Sequence, residues 1–192
     1  MNLKTGLTLS SLLLFIPNMA FAHTDMSHST SFFHGFNHPI GGMDHLLAML
    51  AVGMLAAQLK GRALWTIPTT FIVLMALGGA IGLSGIQLPF IEQGIIASVI
   101  TFGVLIATGL KLSVNFSAVL VGFFAIFHGY AHGIEMPVST SSLTYSVGFL
   151  LATALLHSIA IIGTTSLQKI NHENINRVIG SAIALSGFYL AV

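Results

Sequence analysis

The chain has 192 residues, 55% of them hydrophobic and only 6% charged, and a formal net charge of +1. A soluble domain carries about a quarter charged residues, so six Lys/Arg and five Asp/Glu cannot coat a 20.3 kDa globule that faces water. With a mean hydropathy of +0.93, 20 Gly and no Cys, the class is a polytopic helical membrane protein; a soluble enzyme, a nucleic-acid binder, a disordered chain and thiolate chemistry are excluded.

The first 22 residues read as a secretory signal peptide. Lys4 supplies the positive start, residues 7–16 an apolar stretch interrupted by Pro17, and Ala20-Phe21-Ala22 a small-x-small cleavage site. Cleavage would leave residues 23–192 as a single domain beginning at His23, outside the inner membrane. Six apolar stretches near membrane length follow, at about 38–59, 63–83, 91–110, 114–133, 143–167 and 175–192. Short connections rich in turn formers separate them, such as Lys60-Gly61-Arg62 and Ser84-Gly85. The runs are continuous rather than alternating and too long for barrel strands. The expected fold is all-α, a bundle of six transmembrane helices after a cleaved signal peptide. Gly78 and Gly82 place a small-xxx-small face on the second stretch, suited to close helix packing.

Orientation follows from the basic residues. Beyond Lys4, every Lys and Arg (Lys60, Arg62, Lys111, Lys169, Arg177) falls at an end that is cytoplasmic if the mature N-terminus lies outside. Asp25, Asp44, Glu92 and Glu135 fall on the outer half, and Glu173 is the exception. The chain is therefore expected in a bacterial inner membrane, multi-pass, with its mature N-terminus outside.

Nine His in so apolar a chain need a reason, because an ionisable group inside a span is costly and marks function by default. The segment from His38 to His45 holds His38, Asp44 and His45. Pro39 suits the first position of a helix, and a helix beginning there would set Asp44 and His45 about 8–10 Å below the outer mouth. His128, His132 and Glu135, spaced by four and three residues, share one face near the outer end of the fourth stretch. Both groups lie at matching depth on the same side of the membrane. Four imidazoles and two carboxylates suit a borderline divalent ion such as Ni²⁺, Co²⁺ or Zn²⁺. The competing readings are that Asp44 caps a helix that starts late, leaving a segment short for a span, and that His128 and His132 are hydrogen-bonded packing residues.

Weaker candidates are His157 on the fifth stretch, as a station further in, and an N-terminal arm with His23, Asp25, His28 and His34 that could collect metal or simply be solvated. Met43, Met49, Met54 and Met75 keep copper open as a minor option, although methionine more often fills cores.

His38-Pro39 through Asp44-His45-Leu46-Leu47-Ala48-Met49, followed by Ala51-Val52-Gly53, resembles the first signature of the HupE/UreJ family of hydrogenase and urease accessory permeases. Phe127-His128-Gly129-Tyr130-Ala131-His132-Gly133-Ile134-Glu135 is similar to its second signature. The likeness covers nearly the whole chain. It implies uptake of nickel, sometimes cobalt, and assigns metal handling to His38, Asp44, His45, His128, His132 and Glu135. Histidine at position 34 is a departure from the family pattern.

The expected function is a metal-ion permease rather than an enzyme, with no prosthetic group. No phosphate-binding G-x-x-x-x-G-K-[ST] loop is present, so the membrane potential is the expected drive. Two rivals belong to other classes: an intramembrane zinc hydrolase using the same histidines, and a metal sensor or accessory protein that moves no ions. The expected partners are the lipid bilayer and the divalent ion, then a homo-oligomer and an indirect link to nickel-enzyme maturation.

Overall fold

The computed structural model describes residues 31–137, 140–169 and 173–192. The expected signal peptide, His23, Asp25, His28 and His172 lie outside the described residues. Among those described, the chain folds into α-helices and no strand: α1 (Ser31–Gly41), α2 (Met43–Leu59), α3 (Ala63–Leu83), α4 (Ile91–Thr108), α5 (Val114–Ile134), α6 (Ser142–Lys169) and α7 (Glu173–Leu190).

Four helices, α3 to α6, are each long and apolar enough to cross a bilayer, so the chain is a multi-pass membrane protein. The first stretch departs from expectation. It is not one helix starting at Pro39 but two, α1 and α2, bent by 81° at Gly42 and together long and apolar enough for one further span. Pro39 lies inside α1, where it has no N–H to give to the carbonyl of Gly35 and its ring crowds the preceding turn. Gly41 and Gly42 then release the chain. Gly42 is extended (φ −97°, ψ 123°), and its carbonyl accepts the first bond of α2, from Leu46 N at 2.9 Å. The last helix also differs. α7 opens on Glu173, Asn174, Asn176 and Arg177, and these polar turns leave it short of the apolarity of the four clear spans.

The packing order explains where the polar groups end up. α2 is apolar all round and almost wholly buried, from Ala48 through Ala57, as expected of a central helix. It touches every other helix. The most extensive contacts join α3 to α5, α4 to α7 and α1 to α6. The α3–α5 seam uses the expected small-residue face. A Cβ on Gly82 would lie 2.6 Å from the carbonyl oxygen of Tyr130, and one on Gly78 or Gly129 would strike the backbone of Ile126 or Met75. α5 begins at Ser113, whose hydroxyl accepts from Phe116 N at 3.3 Å. Clamped against α3, it turns His128 and His132 inward, where both are buried.

Candidate metal centre

The kink after α1 sets the first half of the site. His38, one residue before Pro39, stays at the rim. Asp44 and His45 open the first turn of α2, aimed back across Gly42: a Cβ on that glycine would lie 2.9 Å from Asp44 Oδ1 and 3.4 Å from His45 Nδ1. Asp44 Oδ1 accepts from the backbone N–H of His45 at 2.8 Å and stands 2.9 Å from its Nδ1. The late helix start thus does let Asp44 bond at the N-terminus of α2, and the same carboxylate also fixes the imidazole. With Nδ1–H donating to Asp44, Nε2 of His45 is the nitrogen left to bind an ion.

α5 supplies the other half. The rings form a continuous row: His38 to His132 at 4.7 Å between centroids, His132 to His45 at 4.4 Å, and His45 to His128 at 4.9 Å. At the rim, His38 Nε2 lies 3.1 Å from Glu135 Oε2. One ligand atom each from His38, His132 and Glu135 falls within 4.8 Å of the others, a group able to hold a metal ion. Divalent ions bind such ligands at about 2.0–2.2 Å, so small side-chain movements close the set. The row passes from an open rim to buried rings. The side chains of Glu135 and His38 are 52% and 31% exposed, whereas His132 and His128 are fully enclosed.

Four ring nitrogens in this row, His45 Nε2, His128 Nδ1 and both nitrogens of His132, are buried without a hydrogen-bond partner. An unmet buried polar group costs about 1–3 kcal/mol, so a cluster of them is an expensive arrangement unless a ligand meets it. Deeper in, Phe71 lies between His128 and His157, with ring centroids 5.7 Å and 5.3 Å away. His157 is buried and both its nitrogens are also unpaired. His34, half-buried on α1 one turn before His38, does not belong to the three-ligand group at the rim.

Three contributors were not singled out from sequence. Ser98 on α4 donates to Ile95 O at 2.6 Å and lies 2.8 Å from His128 Nε2. Its proton being spent, it accepts from Nε2–H, which leaves Nδ1 of His128 as the free lone pair. Phe71 reads in sequence as ordinary core. Glu92 joins Asp44, His45 and Glu135 around a cleft of about 340 Å³, so three carboxylates converge where sequence reasoning placed two. Glu135 itself ionises below the ordinary carboxyl range, because its hydrogen bond with His38 outweighs its partial burial.

The HupE / UreJ protein family profile matches residues 11–190. The chain belongs to the HupE/UreJ family. Protein HupE of Rhizobium leguminosarum bv. viciae is 42% identical over 191 residues, covering 98% of this chain and 97% of that protein. No solved structure matches. The HupE/UreJ family is associated with nickel accessory or transport roles in hydrogenase and urease systems.

Proposed function

We propose that this HupE/UreJ protein is an inner-membrane permease for a divalent transition-metal ion, Ni²⁺ first and Co²⁺ next. In this reading the bent pair α1–α2 and α7 complete six spans after a cleaved signal peptide, and the histidine end faces outward. The observation that carries the reading is the row of four imidazoles running from the His38–Glu135 rim to buried His128, with a carboxylate-lined cleft at His45 and unpaired nitrogens along its buried part.

The ion is the cargo. The carboxylates of Glu92, Asp44 and Glu135 concentrate it at the cleft and offset its charge as water is shed. His38, His132 and Glu135 take it first. His45, oriented by Asp44, and His128, oriented by Ser98, take it next, and His157 receives it past Phe71. Each station replaces part of the hydration shell while binding weakly enough to release. An inside-negative potential of 100 mV contributes about 4.6 kcal/mol to inward movement of a divalent ion.

Uptake into liposomes holding the purified protein tests this, comparing Ni²⁺, Co²⁺, Zn²⁺ and Cu⁺ under an inside-negative potential for wild type and Asp44→Asn. Potential-dependent flux, lost in the variant, is expected. Tight binding without flux in folded protein would overturn the permease and favour a sensor.

A further inference from the structure

The end of the bundle opposite the histidines holds a second polar site. A cavity of about 160 Å³ opens among α2, α4, α6 and α7, and its lining includes Lys60, Lys111, Arg177, Gln58, Gln168 and Asn176. We propose that this cavity binds an oxyanion of the phosphate class through Lys60, Lys111 and Arg177. The proposal is independent of the metal-uptake reading.

Three observations support it. First, the cations come from three separate places in the chain, after α2, after α4 and on α7, yet line one cavity whose lining includes no Asp or Glu among the described side chains. The positive-inside rule accounts for their side of the membrane but not for their convergence, which sets like charges against one another. Arg62, also at this end, turns elsewhere and donates to Asn115 Oδ1 at 2.6 Å. Second, the backbone makes room for the guanidinium. Gly109 ends α4 in the left-handed region (φ +69°), and a Cβ there would lie 2.9 Å from Arg177 Nη2. Third, the wall is built and holds an unmet polar group. Gln58 Nε2 donates to Leu105 O at 3.3 Å and Leu110 O at 3.2 Å, and Gln168 Nε2 to Ala57 O at 3.4 Å. The side-chain oxygen of Asn176, by contrast, is buried without a partner. Turning that amide over puts N–H donors in its place, which an anion would satisfy. The volume holds about five waters at ~30 Å³ each, or one phosphate-sized group.

The same chemistry could come from free phosphate or from the headgroup of an anionic lipid, and the two are separable. Metal-free protein is placed in nanodiscs of pure phosphatidylcholine, or of phosphatidylcholine with phosphatidylglycerol, and titrated with inorganic phosphate by calorimetry, with thermal unfolding measured in parallel. Saturable binding of one phosphate in pure phosphatidylcholine is expected, weakened at least about tenfold in Lys111→Gln and in Arg177→Gln by loss of a charge-assisted hydrogen bond. Arg62→Gln, whose guanidinium points elsewhere, should bind like wild type. If phosphatidylglycerol instead raises the unfolding temperature, and Arg177→Gln abolishes that rise but Arg62→Gln does not, the occupant is a lipid headgroup and the site stands. Absence of both effects, or equal losses in Arg62→Gln, would overturn it, and a cavity variant that fails to unfold cooperatively is replaced by Lys60→Gln. No arm reads metal flux, so failure of the permease reading leaves the result intact.

Discussion

Ser98→Ala tests whether the buried histidines are ligands or packing. Ser98 is fully buried, and alanine removes one oxygen without adding volume or weakening the helix. What is lost is the acceptor for His128 Nε2–H, now held at 2.8 Å. If His128 is only a packed polar residue, the cost is one unmet donor, about 1–3 kcal/mol of stability, with no specific effect on metal. If His128 Nδ1 is a ligand, the loss also frees the imidazole to change tautomer or turn, and disturbing such an outer partner costs 10–100-fold in affinity or activity. That range corresponds to about 1.4–2.8 kcal/mol. Initial rates of radiolabelled Ni²⁺ uptake into proteoliposomes at sub-saturating ion, with thermal unfolding of the same preparations, separate the two. A drop of tenfold or more in uptake with cooperative unfolding retained is expected. Unchanged uptake alongside a lowered unfolding temperature would refute the assignment of His128 as a ligand.

Gly42→Ala should lower uptake about tenfold through the displaced partner of His45, because the new methyl meets Asp44 Oδ1 and His45 Nδ1 while φ −97° is open to alanine; unfolding curves that match wild type would locate the defect in the site. Glu92→Gln removes one of three carboxylates from the cleft and should slow uptake about fivefold at low ionic strength, with a smaller difference at high salt; equal rates at low salt would remove Glu92 from the path. Uptake should fall reversibly as the outer pH is lowered below neutral, since protons compete for imidazole lone pairs. Glu135, held below the ordinary carboxyl value by His38, stays ionised in that window. The stability its depressed pKa contributes is present above the ordinary carboxyl value and is lost only as pH falls further, through its own lowered pKa. Loss of uptake should therefore precede any change in unfolding temperature, and coincident losses in a pH series would count against the sign.

The helices that could be read from sequence are those whose ends carry local signals. The second stretch matches Ala63–Leu83, and the fourth begins where Ser113 caps Val114 and overruns its expected end by one residue. The first stretch departs from a single helix starting at Pro39, because that proline supports two opposite readings. It is at ease in the first turn of a helix and also weakens a helix already running. The Gly41-Gly42 pair just beyond decides for the break. The bend affects chemistry as well as topology. A straight helix would string His38, Asp44 and His45 along one axis by depth, whereas the bend leaves His38 on its own helix, with Glu135 and His132. The motif spacing of His128, His132 and Glu135 survived intact because all three depend on one helix and its first residue beyond. Ser98, Phe71 and Glu92 could not be found that way. Each is unremarkable along the chain, and its role comes from the rotation of α3 or α4 against α5, which is set by glycine contacts such as Gly78 on Ile126 and not by any local pattern. Periodicity supplies a helix's faces, while the site depends on which face meets which neighbour. In this protein that choice is made where a backbone touches a backbone at a missing Cβ.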